Sequence, residues 1–313
     1  MQHWHSHAPG SLMLFGEHAV LQQRSAIAAA IDHWLHIEWK RRDDDRLIIR
    51  SVLADHETDW QQLADHPKLS FLMVCLQWFK NHASILPGLE ITILSDINST
   101  QGLGSSSAVV AAMLCGLMPL SSELNSVSER FVVGRDLIRL VQGAGSGTDL
   151  AAALTGGVMQ LSPETDGIER LADQLPIVSV YVGYKTPTPV VIQRVQQQWS
   201  AENPLWHGWL DCVDDITQQA KQALQGNDLV QLGRCMNMAQ GLMQGLGVSN
   251  ADLDSLVHQL RATDGLLGAK ISGSGLGDCV IALGTPAHPI PGALPVAITP
   301  QAAYWHSEEE ANK

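Results

Sequence analysis

Three glycine-rich turns punctuate this chain, and each is joined directly to an apolar element. They are Gly102-Leu103-Gly104-Ser105-Ser106-Ser107-Ala108, Gly143-Ala144-Gly145-Ser146-Gly147-Thr148-Asp149 and Gly273-Ser274-Gly275-Leu276-Gly277-Asp278. Glycine lets a backbone turn sharply and approach another group closely. One such turn is weak information. Three in one chain, each feeding a regular element, point to a built site.

The first turn opens an apolar helical stretch. A helix N-terminus presents unpaired N–H groups and the positive end of the helix dipole, a ready anion site. Ser105, Ser106 and Ser107 add hydroxyls for phosphate oxygens or Mg²⁺. Taken alone, the segment also fits a plain Gly/Ser turn with a serine cap. It is not the GxxxxGK[ST] loop, because no lysine follows the second glycine, and it lacks the third glycine of GxGxxG. The second turn places Asp149 at a helix start, where it serves as a general base or merely caps the helix. The third feeds the strand Cys279–Leu283. Near the N-terminus, Glu17 and His18 follow an apolar strand in Pro9-Gly10-Ser11-Leu12-Met13-Leu14-Phe15-Gly16-Glu17-His18. That pair suits a polar substrate or a hydrogen-bonded turn.

Strand-like and helix-like segments alternate. Strands are expected at Leu47–Val52, Leu89–Leu94, Gly157–Leu161, Ile177–Tyr184, Cys279–Leu283 and Val296–Thr299. Helices are expected at Ser105–Met118, Ser126–Val141, Cys212–Leu224, Asp228–Met243 and Leu253–Leu260, the last capped by Asn250. Pro187 and Pro189 mark a crossover between domains. The chain has 313 residues, a length that suits about two domains. The mix reads as α+β.

The formal net charge is -13, which argues against non-specific contact with nucleic acid or an anionic membrane. The longest apolar run, Ala108 to Leu120, contains Gly116 and Pro119 and falls short of the roughly 18 residues of a membrane span. No secretory leader is expected. The five cysteines are widely spaced in apolar contexts, which predicts buried free thiols in a reducing cytoplasm.

His3, His5 and His7 share one face of a strand, a metal reading set against a frayed or edge N-terminus. Trp206, His207 and Trp209 are expected to pack. Met236, Met238 and Met243 are expected in a helix core, and Asp43-Asp44-Asp45 in a solvated hairpin turn. The tail Glu308–Lys313 is expected to fray.

In order along the chain, these motifs resemble the GHMP kinase superfamily, and its mevalonate kinase branch in particular. Ala8-Pro9-Gly10 through Gly16-Glu17-His18-Ala19-Val20-Leu21 resembles the first family motif, and Gly102–Ala108 its ATP loop. Ser146-Gly147-Thr148-Asp149 resembles the segment of the catalytic aspartate. Leu246-Gly247-Val248-Ser249, Gly268-Ala269-Lys270 and Ser272-Gly273-Ser274-Gly275 resemble the third motif and its approach.

The resemblance implies a two-domain GHMP kinase fold. A ribosomal-protein-S5-like N-terminal domain (1–175) would face a ferredoxin-like C-terminal domain (176–313) across the active site. It implies ATP- and Mg²⁺-dependent phosphorylation of an alcohol, the 5-hydroxyl of mevalonate, in isoprenoid precursor synthesis. Asp149 would be the catalytic base. Gly102, Leu103, Gly104, Ser105, Ser106 and Ser107 would bind the nucleotide, with Ser106 also on the metal. Glu17, His18, Gly273, Ser274 and Gly275 would meet the substrate. A homodimer fits the resemblance.

Three departures stand out. Ser11 occupies the place of a lysine that usually pairs with the aspartate. Ile138 occupies the place of a Mg²⁺-binding glutamate, with Asp136 and Gln142 as substitutes in range. Gln142-Gly143 looks more like phosphomevalonate kinases, a reading that requires Arg139, Lys185 or Arg194 in the cleft. Ser11 and Ile138 also motivate a non-catalytic ligand-binding reading.

Overall fold

The computed structural model describes residues 2–311. The chain opens with a long antiparallel hairpin of β1 (His3–Phe15) and β2 (Ala26–Arg42). Then come β3 (Arg46–Ser51), β4 (His56–Asp59), α1 (Ser70–His82), β5 (Gly88–Ser95) and α2 (Ser105–Leu117). Next are α3 (Val127–Gln142), α4 (Thr148–Thr155), β6 (Val158–Ser162) and β7 (Gly167–Ala172). The second half holds β8 (Ile177–Tyr181), α5 (Thr188–Gln198), α6 (Pro204–Gln225), α7 (Leu229–Gly245) and α8 (Ala251–Arg261). It closes with β9 (Leu266–Ser272), β10 (Cys279–Gly284), β11 (Ala293–Leu294), β12 (Tyr304–Ser307) and α9 (Glu308–Ala311).

Two sheets divide these strands. The first runs β12-β1-β2-β5-β3-β4, with β6 pairing both β2 and β7. The second runs β11-β8-β10-β9. Strands β1–β7 belong to the first sheet and β8–β11 to the second, and β12 returns to the first to pair with β1.

The first sheet's core sits between the β1–β2 hairpin and α2. Helix α2 (SSSAVVAAMLCGL) is buried almost all round, so it needs no polar face. Its Gly116 has a packing reason: a Cβ there would fall 2.2 Å from the Trp39 ring. The Trp4 and Trp39 rings stack 5.7 Å apart beneath the helix, worth about 1 kcal/mol beyond their buried area. Trp4 Nε1 donates to the Gly116 carbonyl at 2.8 Å, so the polar edge is not orphaned. In the second half, α7 and α8 pack on β9. Trp199, Trp206 and Trp209 stack in series against that core, the packing role expected for the tryptophans.

Some expectations need correction. Val296–Thr299 forms no strand, only the single bridge Ile298–Ile31, because β6 and β5 already pair with β2 on either side of Ile31 and leave room for little more. Pro187 and Pro189 do not interrupt the chain but begin α5, where proline's missing N–H costs nothing. Met236 and Met243, seven residues apart, share the buried face of α7, whereas Met238, two residues on from Met236, points the other way and is exposed. Cys212 is exposed on α6, while Cys75, Cys115, Cys235 and Cys279 are buried and free. Asp43–Asp45 form a solvated turn in which Asp44 binds Arg42 and Arg46, but it closes no hairpin, because β5 lies between β2 and β3 in the sheet.

The N-terminal histidines are neither frayed nor at an edge. His5 and His7 stack on His306 of β12, and His7 meets His36 of β2 Nδ1 to Nδ1 at 2.6 Å. Burial, with the neighbouring imidazoles, lowers the His7 pKa to about 4. Among the described residues, no cluster of three His, Cys, Asp or Glu side chains has metal-holding geometry. Nor is any helix there long and apolar enough to cross a membrane. Residues 312 and 313 of the expected frayed tail lie outside the described residues. Glu308–Ala311 is a short helix whose Glu308 approaches His3.

Candidate active site

A cleft between the two sheets collects most of the residues singled out by sequence. Gly102, Gly104, Ser105, Ser106 and Ser107 form one wall. Glu17, His18 and Asp149 line it, and Gly273 and Ser274 close it from the second half. Two predicted residues sit behind the lining instead. Leu103 is buried, and its carbonyl accepts the Ser11 N–H at 3.1 Å. Gly275 packs on Val248, where a Cβ would fall 2.3 Å from the Val248 carbonyl oxygen.

The phosphate-loop geometry follows from local chemistry. Gly104 caps α2 in the left-handed region at φ 70°. A side chain there would collide with Ser11 Oγ, at 2.0 Å from its Cβ. Glycine therefore permits both the turn and the close approach of β1. The helix then starts with three serines, and its first N–H groups point into the cleft.

Asp149 lies in the first turn of α4, after the left-handed cap Gly147. It is partly open to the cleft and otherwise enclosed. Ser11 Oγ donates to its Oδ1 at 2.7 Å. Burial pushes its pKa above the ordinary aspartate range. The Ser11 hydrogen bond and the Lys185 charge oppose that rise, and Glu17 adds to it. A carboxylate so placed is a better proton acceptor than a solvated one.

Glu17 and His18 follow β1 through a turn in which His18 is left-handed at φ 61°. The Glu17 carboxylate pairs with buried Lys270 of β9. Lys270 also donates to the Ile271 carbonyl at 2.5 Å. His18 Nε2 meets the Ser274 carbonyl at 2.8 Å. Burial lowers the His18 pKa, with Ser274 and Glu17 partly offsetting it. An uncharged imidazole facing a carbonyl presents its N–H there, leaving Nδ1 to accept.

Two more cleft residues stand out: Lys185, which sequence reasoning offered only for a phosphorylated substrate, and Asp278, which it left without a role. Lys185, in the β8–α5 loop, lines the cleft, and its Nζ is 3.6 Å from Asp278 Oδ1. Asp278 is buried and left-handed at φ 66°, and burial raises its pKa while Lys185 opposes that. The glycine-rich turn gave a signal for Asp278, a non-glycine at the end of a glycine series. Of the three basic residues offered for a phosphorylated substrate, Lys185 reaches the cleft. Arg139 is engaged by the Gly145 carbonyl and Asp136, and Arg194 is exposed on α5. The same pairing takes Asp136 out of the site, whereas Ile138 and Gln142 do line the cleft.

The fold and cleft together define a class: a two-domain kinase with a glycine-capped helix N-terminus and a partly enclosed carboxylate on one cleft. Comparison with known proteins gives the same class. Residues 70–157 match the GHMP kinases N terminal domain, and residues 220–291 match GHMP kinases C terminal. The mevalonate kinase of Pyrococcus abyssi is 30% identical over 296 residues, covering 88% of this chain and 87% of that protein. That of Pyrococcus furiosus is 32% identical over 297 residues, with the same coverage. A crystal structure of L. major mevalonate kinase in complex with R-mevalonate has a TM-score of 0.76 at 24% identity, covering 95% of this chain and 96% of that one.

The chain belongs to the GHMP kinase family. It is an ATP-dependent phosphotransferase with an alcohol acceptor, and its relatives named here are mevalonate kinases.

Proposed function

We propose that this protein transfers the terminal phosphoryl group of ATP to the 5-hydroxyl of mevalonate. One observation carries the site assignment. Asp149, held by Ser11, faces the same cleft as the N-terminus of α2 and the Glu17–His18 turn. The relatives' activity supplies the acceptor.

Each residue then has a task. The N–H groups of Gly104–Ser107 and their hydroxyls receive the phosphates. Asp149 accepts the proton of the attacking hydroxyl, and Ser11 fixes the carboxylate orientation. His18, Gly273 and Ser274 bind the acceptor's polar end. Glu17 is closed by Lys270 and shapes the turn that presents His18. Phosphoryl transfer depends mostly on positioning and charge neutralisation, and this cleft supplies both.

Mg²⁺ fits the donor set lining the cleft, because the hydroxyls of Ser105 and Ser106 and the Asp149 carboxylate are the hard oxygen ligands it takes. Ser106 would hold it together with nucleotide oxygens. When bound beside Ser106, Mg²⁺ would supply charge neutralisation to the phosphates. The four buried free thiols suit a reducing compartment, the cytoplasm in this reading.

The test is ADP release by the purified protein with Mg·ATP, comparing mevalonate with 5-phosphomevalonate. Turnover on mevalonate is expected. Turnover on the phosphorylated compound alone, or on neither by folded protein, would overturn the proposal.

A further inference from the structure

We infer that Lys185 is the fixed cation of the phosphoryl-transfer step and that Asp278 positions it. This inference rests on the kinase reading above.

The charges of the cleft lead to it. Its carboxylates are Glu17, Asp149 and Asp278, and the lysine or arginine side chain among its lining residues is Lys185. Lys270, behind the lining, is wholly buried and consumed by Glu17 and the Ile271 carbonyl. Ser11 gives Asp149 a neutral hydrogen bond and no charge. A transferring phosphoryl group carries negative charge on three oxygens and needs fixed positive charge nearby. Lys185 is in place for that, as a point charge whose field reaches both Asp149 and Asp278.

The loop carrying Lys185 is held on both sides. Thr186 Oγ1 donates to the Leu276 carbonyl at 2.6 Å, and the Asp278 N–H donates to the Tyr184 carbonyl at 2.9 Å. At 3.6 Å, Nζ is too far from Asp278 Oδ1 for a hydrogen bond, so the amine is attracted there without being locked. It remains free to meet an incoming phosphate oxygen.

Asp278 itself is costly. It is left-handed, it is buried, and its Oδ1 has no hydrogen-bond partner. Its carboxyl carbon lies 2.8 Å from where a Cβ on Gly102 would sit, directly against the phosphate loop. A carboxylate there repels a polyphosphate unless it carries a cation with it. Costs of this kind persist where the surrounding structure uses them. Holding Lys185 between the phosphate loop and Asp149 is such a use. In the step, the acceptor oxygen bonds to phosphorus, Asp149 receives its proton, and the bridging bond to ADP breaks with its electrons. Lys185 exchanges no proton and balances charge throughout.

The test compares Lys185→Met, Lys185→Arg and Asp278→Asn with the parent. kcat, the acceptor KM and the pH dependence of kcat/KM are measured with mevalonate. The Kd for Mg·ADP and for Mg·AMPPNP is measured without acceptor. Lys185→Met is expected to lower kcat about 100-fold. It should weaken Mg·AMPPNP while Mg·ADP stays within about two-fold, because the lost charge faces the terminal phosphate. Its acid limb should move to higher pH, since Asp149 then faces Ser11, Glu17 and Asp278 with no cation. Lys185→Arg should recover part of the rate. Asp278→Asn should lower kcat about ten-fold with the acceptor KM unchanged.

A Lys185→Met protein with kcat within about three-fold of the parent and an unchanged ratio of the two nucleotide affinities would overturn the inference. If the parent itself does not turn over mevalonate, the acceptor reading fails. The two nucleotide affinities then decide Lys185 alone, the inference standing if their ratio changes and falling if it does not.

Discussion

Glu17 and Asp149 are two carboxylates on one cleft, and the fold treats them in opposite ways. Glu17 is nearly fully buried and meets a lysine with no exposed surface. Asp149 is partly open, meets a serine hydroxyl at 2.7 Å and feels its cation, Lys185, only through space. The first arrangement spends a buried charge pair on fixing a turn. The second leaves a carboxylate with a raised pKa and one side free. A closed, buried ion pair is costly to break, so it holds shape. A carboxylate short of partners is poised to take a proton, so it does chemistry.

The sharpest way to break this contrast is Asp149→Asn. Turnover should fall about 10³- to 10⁴-fold, or about 4 to 5.5 kcal/mol of barrier, with the Mg·ADP affinity nearly kept. Near-normal turnover would remove Asp149 from the chemistry.

The same variant should be more stable than the parent at neutral pH. A carboxyl whose folded pKa is raised contributes stability below its unfolded pKa and loses it as pH rises through the folded value. Asparagine escapes that loss, so its advantage in unfolding midpoint should vanish below the ordinary aspartate range. A lower midpoint at pH 7 would show that Asp149 is structural.

On the other side of the comparison, Lys270→Met leaves Glu17 buried without its charge partner. Denaturant unfolding should show a loss of about 3 to 5 kcal/mol. Adding Glu17→Gln should return the protein to within about 1 to 2 kcal/mol of the parent, because an apolar and a neutral group replace the pair together. Additive losses instead would mean that the two side chains do not act as one unit.

The smallest expected effect belongs to Ser11→Ala. It removes a single hydrogen bond, worth about 1 to 3 kcal/mol to a charged partner. Because that bond lowers the Asp149 pKa, its loss should move the acid limb of kcat/KM to higher pH. An unmoved limb would show that Ser11 only fills space beside Gly104.

Much of this site was legible because its parts are local. The glycines at 102 and 104 and the serines after them announce a helix N-terminus, and α2 starts at Ser105. Helical periodicity announces Ser126–Val141, and α3 runs from Val127 to Gln142 behind a Ser126–Glu129 capping box that the sequence reading did not single out. Asn250 announces a cap, and its side chain accepts the Leu253 N–H. Propensity and capping act over a few residues, so they survive without a fold. Val296–Thr299 failed by the same logic. Its composition suits a strand, but pairing is decided by which neighbour is free, and β6 and β5 already hold the edge of β2 on either side of Ile31.

The sequence by itself determined the local turns and the candidate residues on them: the glycine–serine turn before α2, Asp149 at a helix start, and Glu17–His18 after a strand. Tertiary structure alone decided their partners. Ser11 meets Asp149 across 138 residues, Glu17 meets Lys270 across 253, and His18 meets Ser274 across 256. Lys185 and Asp278 come together 93 residues apart only because β8 pairs with β10. A hydrogen-bonded turn is written in adjacent residues. A charge's environment depends on which distant segments exclude water around it, and only the packed sheets fix that.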